Sequence, residues 1–439
     1  MEITVCGTGY VGLVTGVCLA EIGHEVVCFD TDEQKINLLK EGICPIYEPG
    51  LEELLLKQLH GKRLHFSTDA KQAYKESDVI FLAVGTPEKE DGAADLTFIE
   101  QAVETIAQYI ISHTIIVTKS TVPIGTNDRL QATFDEKGVS VDVVSNPEFL
   151  REGSGIYDTF HGDRIVIGSN HNEAKEIVEK IFQPLQIPII HMSVRSAEMV
   201  KYASNTFLAT KISFINEIAK LCEHTGANVE DVALGMGMDS RIGTPFLKAG
   251  IGFGGSCFPK DTKALENVAS MYGYEFQILQ SVIKVNEKQK SLLFEKAMDR
   301  MGTVEGKNVA VLGLSFKPNT DDIRDAPSIP LIDNLLEAGA LVRAYDPVAH
   351  NHVKKRYKKA IHYSETIENA IDQADLVCIV TEWGEIKEFP LEKYKQMMRE
   401  PLLIDGRNCY KLEEAQQADI TYISIGREVV ERKTPIFRY

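Results

Sequence analysis

The sequence predicts an α/β protein: two α/β domains with parallel sheets, joined by a long central helix and a helical middle domain. Three observations carry this reading. Short apolar runs alternate with helix-like stretches through the first 190 residues. From Ser196 to Glu223 there is no Gly or Pro, and apolar residues recur at helical spacing. The strand–helix alternation then restarts at Lys307.

Taken in order, residues 2–6 read as a buried strand, followed by a Gly-rich turn and an apolar helix over 10–22. Residues 25–29 are a second strand, ending in Asp30. Further apolar runs lie at 64–67, 78–84, 114–118 and 141–145, and another αβ stretch spans 164–190. The helix over 196–223 carries Met199, Val200, Ala203, Phe207, Ile212, Ile215, Ile218, Ala219 and Cys222. At 1.5 Å per residue it is roughly 40 Å long, too long for one small sheet and suited to a spine between domains. A Gly-rich segment at 249–256 precedes helix over 260–300. The second α/β pattern has strands at 307–313, 340–345, 375–380 and 401–405, with a helix at 328–338. The expected domains are therefore 1–193, 194–304 and 305–439.

A chain of 439 residues suits two to four domains. Its net charge of −17 argues against a general nucleic-acid or membrane-surface binder, which needs a basic face. An anionic ligand must be held by a few local cations and backbone N–H groups. No apolar run approaches the 18 or so residues of a membrane span. The N-terminus enters a strand at once, leaving no room for a signal peptide. Eight cysteines (6, 18, 28, 44, 222, 257, 378 and 409) form no short-spaced pairs. Neither a disulfide framework nor a metal site is expected, and a reducing, cytoplasmic compartment fits.

Gly7-Thr-Gly9-Tyr10-Val11-Gly12 is G-x-G-x-x-G between a strand and a helix. The first glycine permits a tight turn, the second lets a pyrophosphate approach the backbone, and the third lets helix pack on strand. Phosphates would sit at the helix N-terminus. Asp30 ends the second strand, 18 residues after Gly12, placed to accept from a ribose diol. A carboxylate there repels a 2′-phosphate, so NAD is favoured over NADP. Lys35 can reach the ribose edge. Thr86 in Val84-Gly85-Thr86-Pro87 and Thr121 in Lys119-Ser-Thr-Val-Pro123 lie at strand ends, where ligands bind in such sheets; simple turn chemistry competes for each alone.

Gly252-Phe-Gly-Gly-Ser-Cys257-Phe-Pro-Lys260-Asp261 is the most informative stretch. Pro259 suits the first turn of a helix, so Cys257 falls just outside its N-terminus. The helix dipole and Lys260 both favour thiolate. The glycines let a bulky ligand approach, and Asp261 could act as a base or hold a water. Cys6, Cys18, Cys28 and Cys378, in apolar runs, read as structural. Lys201 and Asn205, at i and i+4, share a helix face. They read as a partly buried cation and an amide donor for a developing oxyanion, although a solvated helix face competes. Asn146-Pro-Glu148-Phe-Leu-Arg-Glu152 brings two carboxylates from another strand end, or forms an ordinary loop.

With K-S-T-V-P, N-P-E-F-L-x-E-G, K-x-x-x-N, G-F-G-G-S-C-F-x-K-D, S-F-K-x-x-T-D-D-x-R and L-I-D-G-R, the chain resembles the UDP-glucose/GDP-mannose dehydrogenase family nearly end to end. The resemblance implies two Rossmann-like domains joined by a long helix, NAD on the first and UDP on the second. It implies oxidation of UDP-glucose to UDP-glucuronate with two NAD reduced, through a cysteine thiohemiacetal and thioester. Ser256 and Phe258-Pro259-Lys260 favour the UDP-glucose branch over the N-acetylmannosamine branch. The resemblance makes Cys257 the nucleophile and Lys201 and Asn205 oxyanion stabilisers. Asp261 and Thr121 handle protons or a water, and Glu148 serves as a base. It places Glu148, Phe149, Leu150, Glu152, Lys201, Asn205, Lys248, Phe253, Gly254, Phe258, Phe316, Lys317 and Arg407 near the UDP-sugar. Tyr10, Val11, Thr86, Thr121, Glu152, Lys260 and Arg324 fall near NAD. Arg241 matches an arginine that reaches the neighbour's substrate, so a homodimer or a multiple of it is expected. Gly155 stands where many relatives have Ala, a change expected to loosen its loop. Competing readings are a dehydrogenase of another UDP-sugar, a 6-phosphogluconate-type enzyme with no need of Cys257, and a catalytically silent NAD-binding sensor.

Overall fold

The computed structural model describes residues 1–433; residues 434–439 of the expected third domain lie outside the described residues. The chain forms two compact units, Met1–Ser204 with Lys263–Glu275, and Asn205–Thr262 with Phe276–Tyr439.

The first unit is built on eight strands: β1 (Glu2–Cys6), β2 (Glu25–Phe29), β3 (Leu64–Ser67), β4 (Val79–Leu82), β5 (Thr114–Thr118), β6 (Val141–Ser145), β7 (Ile165–Gly168) and β8 (Ile189–Met192). Their order is β3-β2-β1-β4-β5-β6-β7-β8. The first six follow the doubly wound dinucleotide-binding order. Burial on both faces explains why the strands read as continuous apolar runs rather than alternating ones. In β4, Val79 and Phe81 enter one core, while Ile80 and Leu82 enter the other. The sheet is not wholly parallel as expected: β6 and β7 meet antiparallel, at Ser145 and Gly168. The chain leaves β6, folds the loop and short helix Gly155–Phe160, and re-enters beside β6 in the opposite direction.

The long helix spans Val194–Thr225, 32 residues and about 48 Å. It contributes Lys201 to the first unit and Asn205 to the second. The helical stretch expected over 260–300 is present as two helices, Phe258–Met271 and Gln277–Met301. Gly273 ends the first in the left-handed region (φ 67), and the N–H groups of Gly273 and Tyr274 close onto the carbonyls of Ser270 and Ala269.

The second unit carries β9 (Asn308–Leu312), β10 (Leu341–Tyr345), β11 (His362–Tyr363), β12 (Leu376–Ile379), β13 (Leu402–Asp405) and β14 (Thr421–Ile423). The order β11-β10-β9-β12-β13-β14 repeats that of the first six strands, and every pair is parallel. Again the central strand is buried twice: Leu376 and Cys378 enter one core, Val377 and Ile379 the other. The sequence reading missed β11 and β14, which at two and three residues are too short to show a period.

Candidate active site

In the first unit, the Gly-rich turn has the geometry that its motif requires. Gly7 has φ 99, and a Cβ at Gly12 would lie 2.0 Å from the Gly7 carbonyl oxygen. Gly9 has open space where a Cβ would project, and no side chain caps the helix Tyr10–Glu21 that follows. Its first N–H groups thus have no side-chain cap, an arrangement that suits a phosphate. Asp30 Oδ2 accepts from the Thr8 N–H (2.8 Å), Thr8 Oγ1 (2.7 Å) and Lys35 Nζ (3.2 Å), and Oδ1 accepts from the Asp32 N–H. Burial pushes its carboxyl up, but the Thr8 and Asp32 donors and the Lys35 charge outweigh that and hold it below the usual carboxylate range. An open turn, a free helix N-terminus and an ionised strand-end carboxylate fit a dinucleotide with a free ribose diol. Thr86 Oγ1 donates to the Thr121 carbonyl (3.0 Å), tying two strand ends together.

The loop after β6 is held at several points. Glu148, buried, accepts from Lys201 Nζ (2.9 Å) on Oε1 and from the Leu150 N–H (2.6 Å) on Oε2. Lys201 is itself buried, which removes the solvated-face reading that spacing alone favoured. The Phe149 ring lies under the Arg164 guanidinium (3.7 Å) and 5.5 Å from Lys201 Nζ. Lys119 Nζ donates to Asn146 Oδ1 (3.0 Å), and burial pushes its ammonium down to about 8 against the attraction of Glu148. Glu48 anchors the rest of the loop through the N–H groups of Gly153 and Gly155 and the Tyr10 hydroxyl. The Gly155 amide is pinned, and a Cβ there would come within 2.5 Å of the Tyr10 hydroxyl.

In the second unit, the Cys257 carbonyl accepts the first helical bond, from the Asp261 N–H (2.8 Å), so Cys257 is the residue at the head of the helix Phe258–Met271. Its Sγ lies 3.7 Å from Ser256 Oγ. An anion at this position is favoured by the helix dipole. Asp261 is buried, and both of its oxygens are taken, Oδ1 by Lys260 Nζ (2.6 Å) and Oδ2 by Asn205 Nδ2 (2.6 Å). Asp261 thus ties Asn205 and Lys260 together one turn into the helix that Cys257 heads. The other cysteines expected to be structural are so: burial pushes Cys6 up to about 11, and Cys18, Cys28 and Cys378 up to about 12.

The Gly-rich loop before Cys257 uses its glycines against the chain itself, not only for ligand access. A Cβ at Gly254 would lie 2.3 Å from the Asp325 carbonyl oxygen, and one at Gly255 (φ 85) 2.7 Å from the Phe316 ring. Arg407 gathers this region: Nε donates to the Val380 carbonyl (2.8 Å) and Nη1 to that of Gly252 (3.2 Å). Glu382 lies 3.4 Å from Arg407 and 3.5 Å from Lys248. Lys317 Nζ is 5.4 Å from the Phe316 ring. The Phe253 ring packs edge-on against Phe258 at 5.8 Å, and Asn286 bonds both its backbone N–H and its carbonyl. Arg324 and Arg241 each close onto an aspartate two residues back, Asp322 and Asp239, with exposed side chains.

The sequence matches three profiles of one family: its NAD binding domain over residues 1–186, its central domain over 195–288 and its UDP binding domain over 310–412. The chain belongs to the UDP-glucose/GDP-mannose dehydrogenase family. Within the family it is 56% identical to UDP-glucose 6-dehydrogenase YwqF of Bacillus subtilis, covering 98% of each chain. It is 46% identical to the UDP-glucose 6-dehydrogenase of Rhizobium meliloti, over 97% of this chain and all of that one. Among solved structures, a UDP-glucose dehydrogenase from Pyrobaculum islandicum superposes with a TM-score of 0.91 at 38% identity, covering 97% of this chain and 98% of that one. Thr8 and Asn146 stand inside quoted motifs without an assigned role, and Glu48, Arg164, Glu198 and Glu382 lie outside every motif. Lys119 heads K-S-T-V-P, and its role comes from the fold, through its bond to Asn146. Glu48 precedes a Pro-Gly turn and has no periodic signal.

Proposed function

We propose that this protein is an NAD-dependent dehydrogenase that oxidises UDP-glucose to UDP-glucuronate. The overall change converts a primary alcohol, one water and two NAD⁺ into a carboxylate, two NADH and three protons. The observation that carries this reading is Cys257 at the head of a helix, beside an Asp261 that orients Asn205. A two-electron alcohol dehydrogenase has no use for a thiol placed there; a four-electron one must make its aldehyde tetrahedral. The dinucleotide would be held by the turn Gly7–Gly12, by Asp30 and Lys35, and by Thr86, Thr121, Glu152, Lys260 and Arg324. When bound there, it supplies the hydride acceptor.

Loss of a proton and a first hydride from the primary alcohol gives the aldehyde; the Cys257 thiolate then adds to its carbonyl, forming a C–S bond as the C=O π pair becomes an alkoxide. Lys201 and Asn205 stabilise that oxygen. Loss of hydride from this thiohemiacetal leaves a thioester on Cys257. Water cleaves the thioester, with Glu148 taking a proton and Thr121 positioning the water, and the thiolate is released. Phe149, Leu150, Lys248, Gly254, Phe258, Phe316, Lys317 and Arg407 serve the UDP-sugar. By this reading the first α/β domain, 1–193, binds NAD, 194–304 is the central domain and 305–439 binds UDP.

A homodimer, or a multiple of it, completes the assignment. Phe207, Phe214 and Leu221 recur every seven residues on the long helix and are exposed, as are Leu234 and Met238 nearby in sequence. A stripe of this kind needs a partner. The cytoplasm suits eight free cysteines and an NAD-linked reaction. Among the described residues, no helix is long and apolar enough to cross a membrane. Counting NADH against consumed sugar tests the proposal: two per UDP-glucose is expected. One per sugar, or none, contradicts it.

A further inference from the structure

Glu48 stands outside every motif, yet it joins two of them. It lies in the segment between the helices Glu33–Lys40 and Leu51–His60, and the residue is 7% exposed. Oε2 accepts from the Tyr10 hydroxyl (2.6 Å) and the Gly153 N–H (2.6 Å), and Oε1 accepts from the Gly155 N–H (2.6 Å). The Tyr10 hydroxyl also lies 3.0 Å from the Arg151 carbonyl oxygen. Tyr10 is the first residue of the helix whose N-terminus faces the phosphate position. Gly153 and Gly155 flank the same loop as Glu148, Phe149 and Glu152. Gly155 leaves the space that the phenol occupies, since a Cβ there would meet its oxygen at 2.5 Å. A loop that needed only anchoring could bond to the carboxylate alone. Here the anchor also runs through a side chain of the dinucleotide turn.

We propose that Glu48 is a positioning residue that couples the dinucleotide turn to the loop carrying Glu148, Phe149 and Glu152. Ordering of the turn by NAD is transmitted through Tyr10 to Glu48, and from Glu48 to the amides of Gly153 and Gly155. Coupling of this kind is reciprocal, so sugar-nucleotide binding also strengthens cofactor binding. The choice of UDP-glucose as the second ligand rests on the function proposed above; the coupling itself does not.

Amide hydrogen exchange of the full chain, with and without NAD, tests the coupling without turnover. In the parent, NAD is expected to slow exchange at Gly153 and Gly155 at least fivefold. Tyr10→Phe keeps the two loop bonds to Glu48 and should lose this response. Glu48→Gln, which places an amide donor against N–H donors, should exchange faster with or without NAD. In calorimetric titrations, NADH should tighten UDP-glucose five- to tenfold in the parent and less than twofold in either variant. A parent loop that ignores NAD, or a Tyr10→Phe variant that keeps the parent's response, overturns the coupling. If Glu48→Gln fails to fold, Tyr10→Phe decides alone. If the parent does not bind UDP-glucose, the proposed function fails, while the exchange data still judge the coupling.

Discussion

Asp30 was legible from its place at a strand end, but the residue that fixes its charge was not. Thr8 occupies a variable position of the glycine motif, and it supplies two of the donors that keep Asp30 ionised. Because the folded carboxyl titrates below its unfolded value, its contribution is fully present above about pH 4 and is lost as pH falls through the lower folded value. Between pH 6 and 9, Asp30→Asn should therefore weaken NAD by a pH-independent factor of about 10–100, the worth of one or two charged hydrogen bonds. It should also narrow the gap to NADP. Fluorescence titration of NADH and NADPH measures both effects; a parent that binds the two equally well contradicts the role of Asp30. The same contrast runs through the site. Cys257 was found because its neighbours form a run, and Pro259 suits the first turn of the helix that follows. Glu48 and Arg164 were missed because a loop residue gains its role from contacts distant in sequence, which leave no local pattern.

At the scale of elements, the long helix acts as a ruler along the first unit. Glu198 accepts from the N–H groups of Gly125 (2.6 Å) and Asn127 (2.8 Å) and from Asn127 Nδ2 (2.7 Å), fixing the loop that follows Thr121. One turn on, Lys201 fixes the loop of Glu148. Burial pushes the Glu198 carboxyl up against these donors, so the group is costly to keep and more costly to remove. Glu198→Ala strands three donors and should cost about 2–3 kcal/mol in urea unfolding. A loss under about 0.5 kcal/mol would show that the loop holds without it. The helix itself was legible because 28 residues without Gly or Pro admit little else. The helical stretch over 260–300 was legible as helix, while its division at Gly273 rests on a left-handed backbone turn that periodicity does not weigh.

The whole molecule repeats one strand order twice but uses it differently. Asp346 ends β10 as Asp30 ends β2, yet it is fully buried. Its oxygens are taken by the N–H groups of Leu314, Ser315, Val348 and Ala349 and by the Trp383 indole. The echo seen in the sequence is an echo of fold, and this carboxylate is spent on packing where Asp30 remains at a surface. Assembly is the next level. The exposed Phe207, Phe214 and Leu221 and the exposed Arg241 lead us to expect a dimer in which Arg241→Ala raises the KM for UDP-glucose at least tenfold and that for NAD less than twofold. Mass photometry and steady-state kinetics check both parts, and a fully active monomer contradicts them. The central claim is covalent four-electron catalysis, and one variant tests it most directly. Cys257→Ser keeps the shape but replaces a thiolate with a hydroxyl that stays protonated at neutral pH. Its rate of UDP-glucuronate formation, measured with saturating NAD and UDP-glucose, should fall by at least about 10³-fold while both ligands still bind. UDP-glucuronate formed at close to the parent rate would show that Cys257 is structural and that the account is wrong.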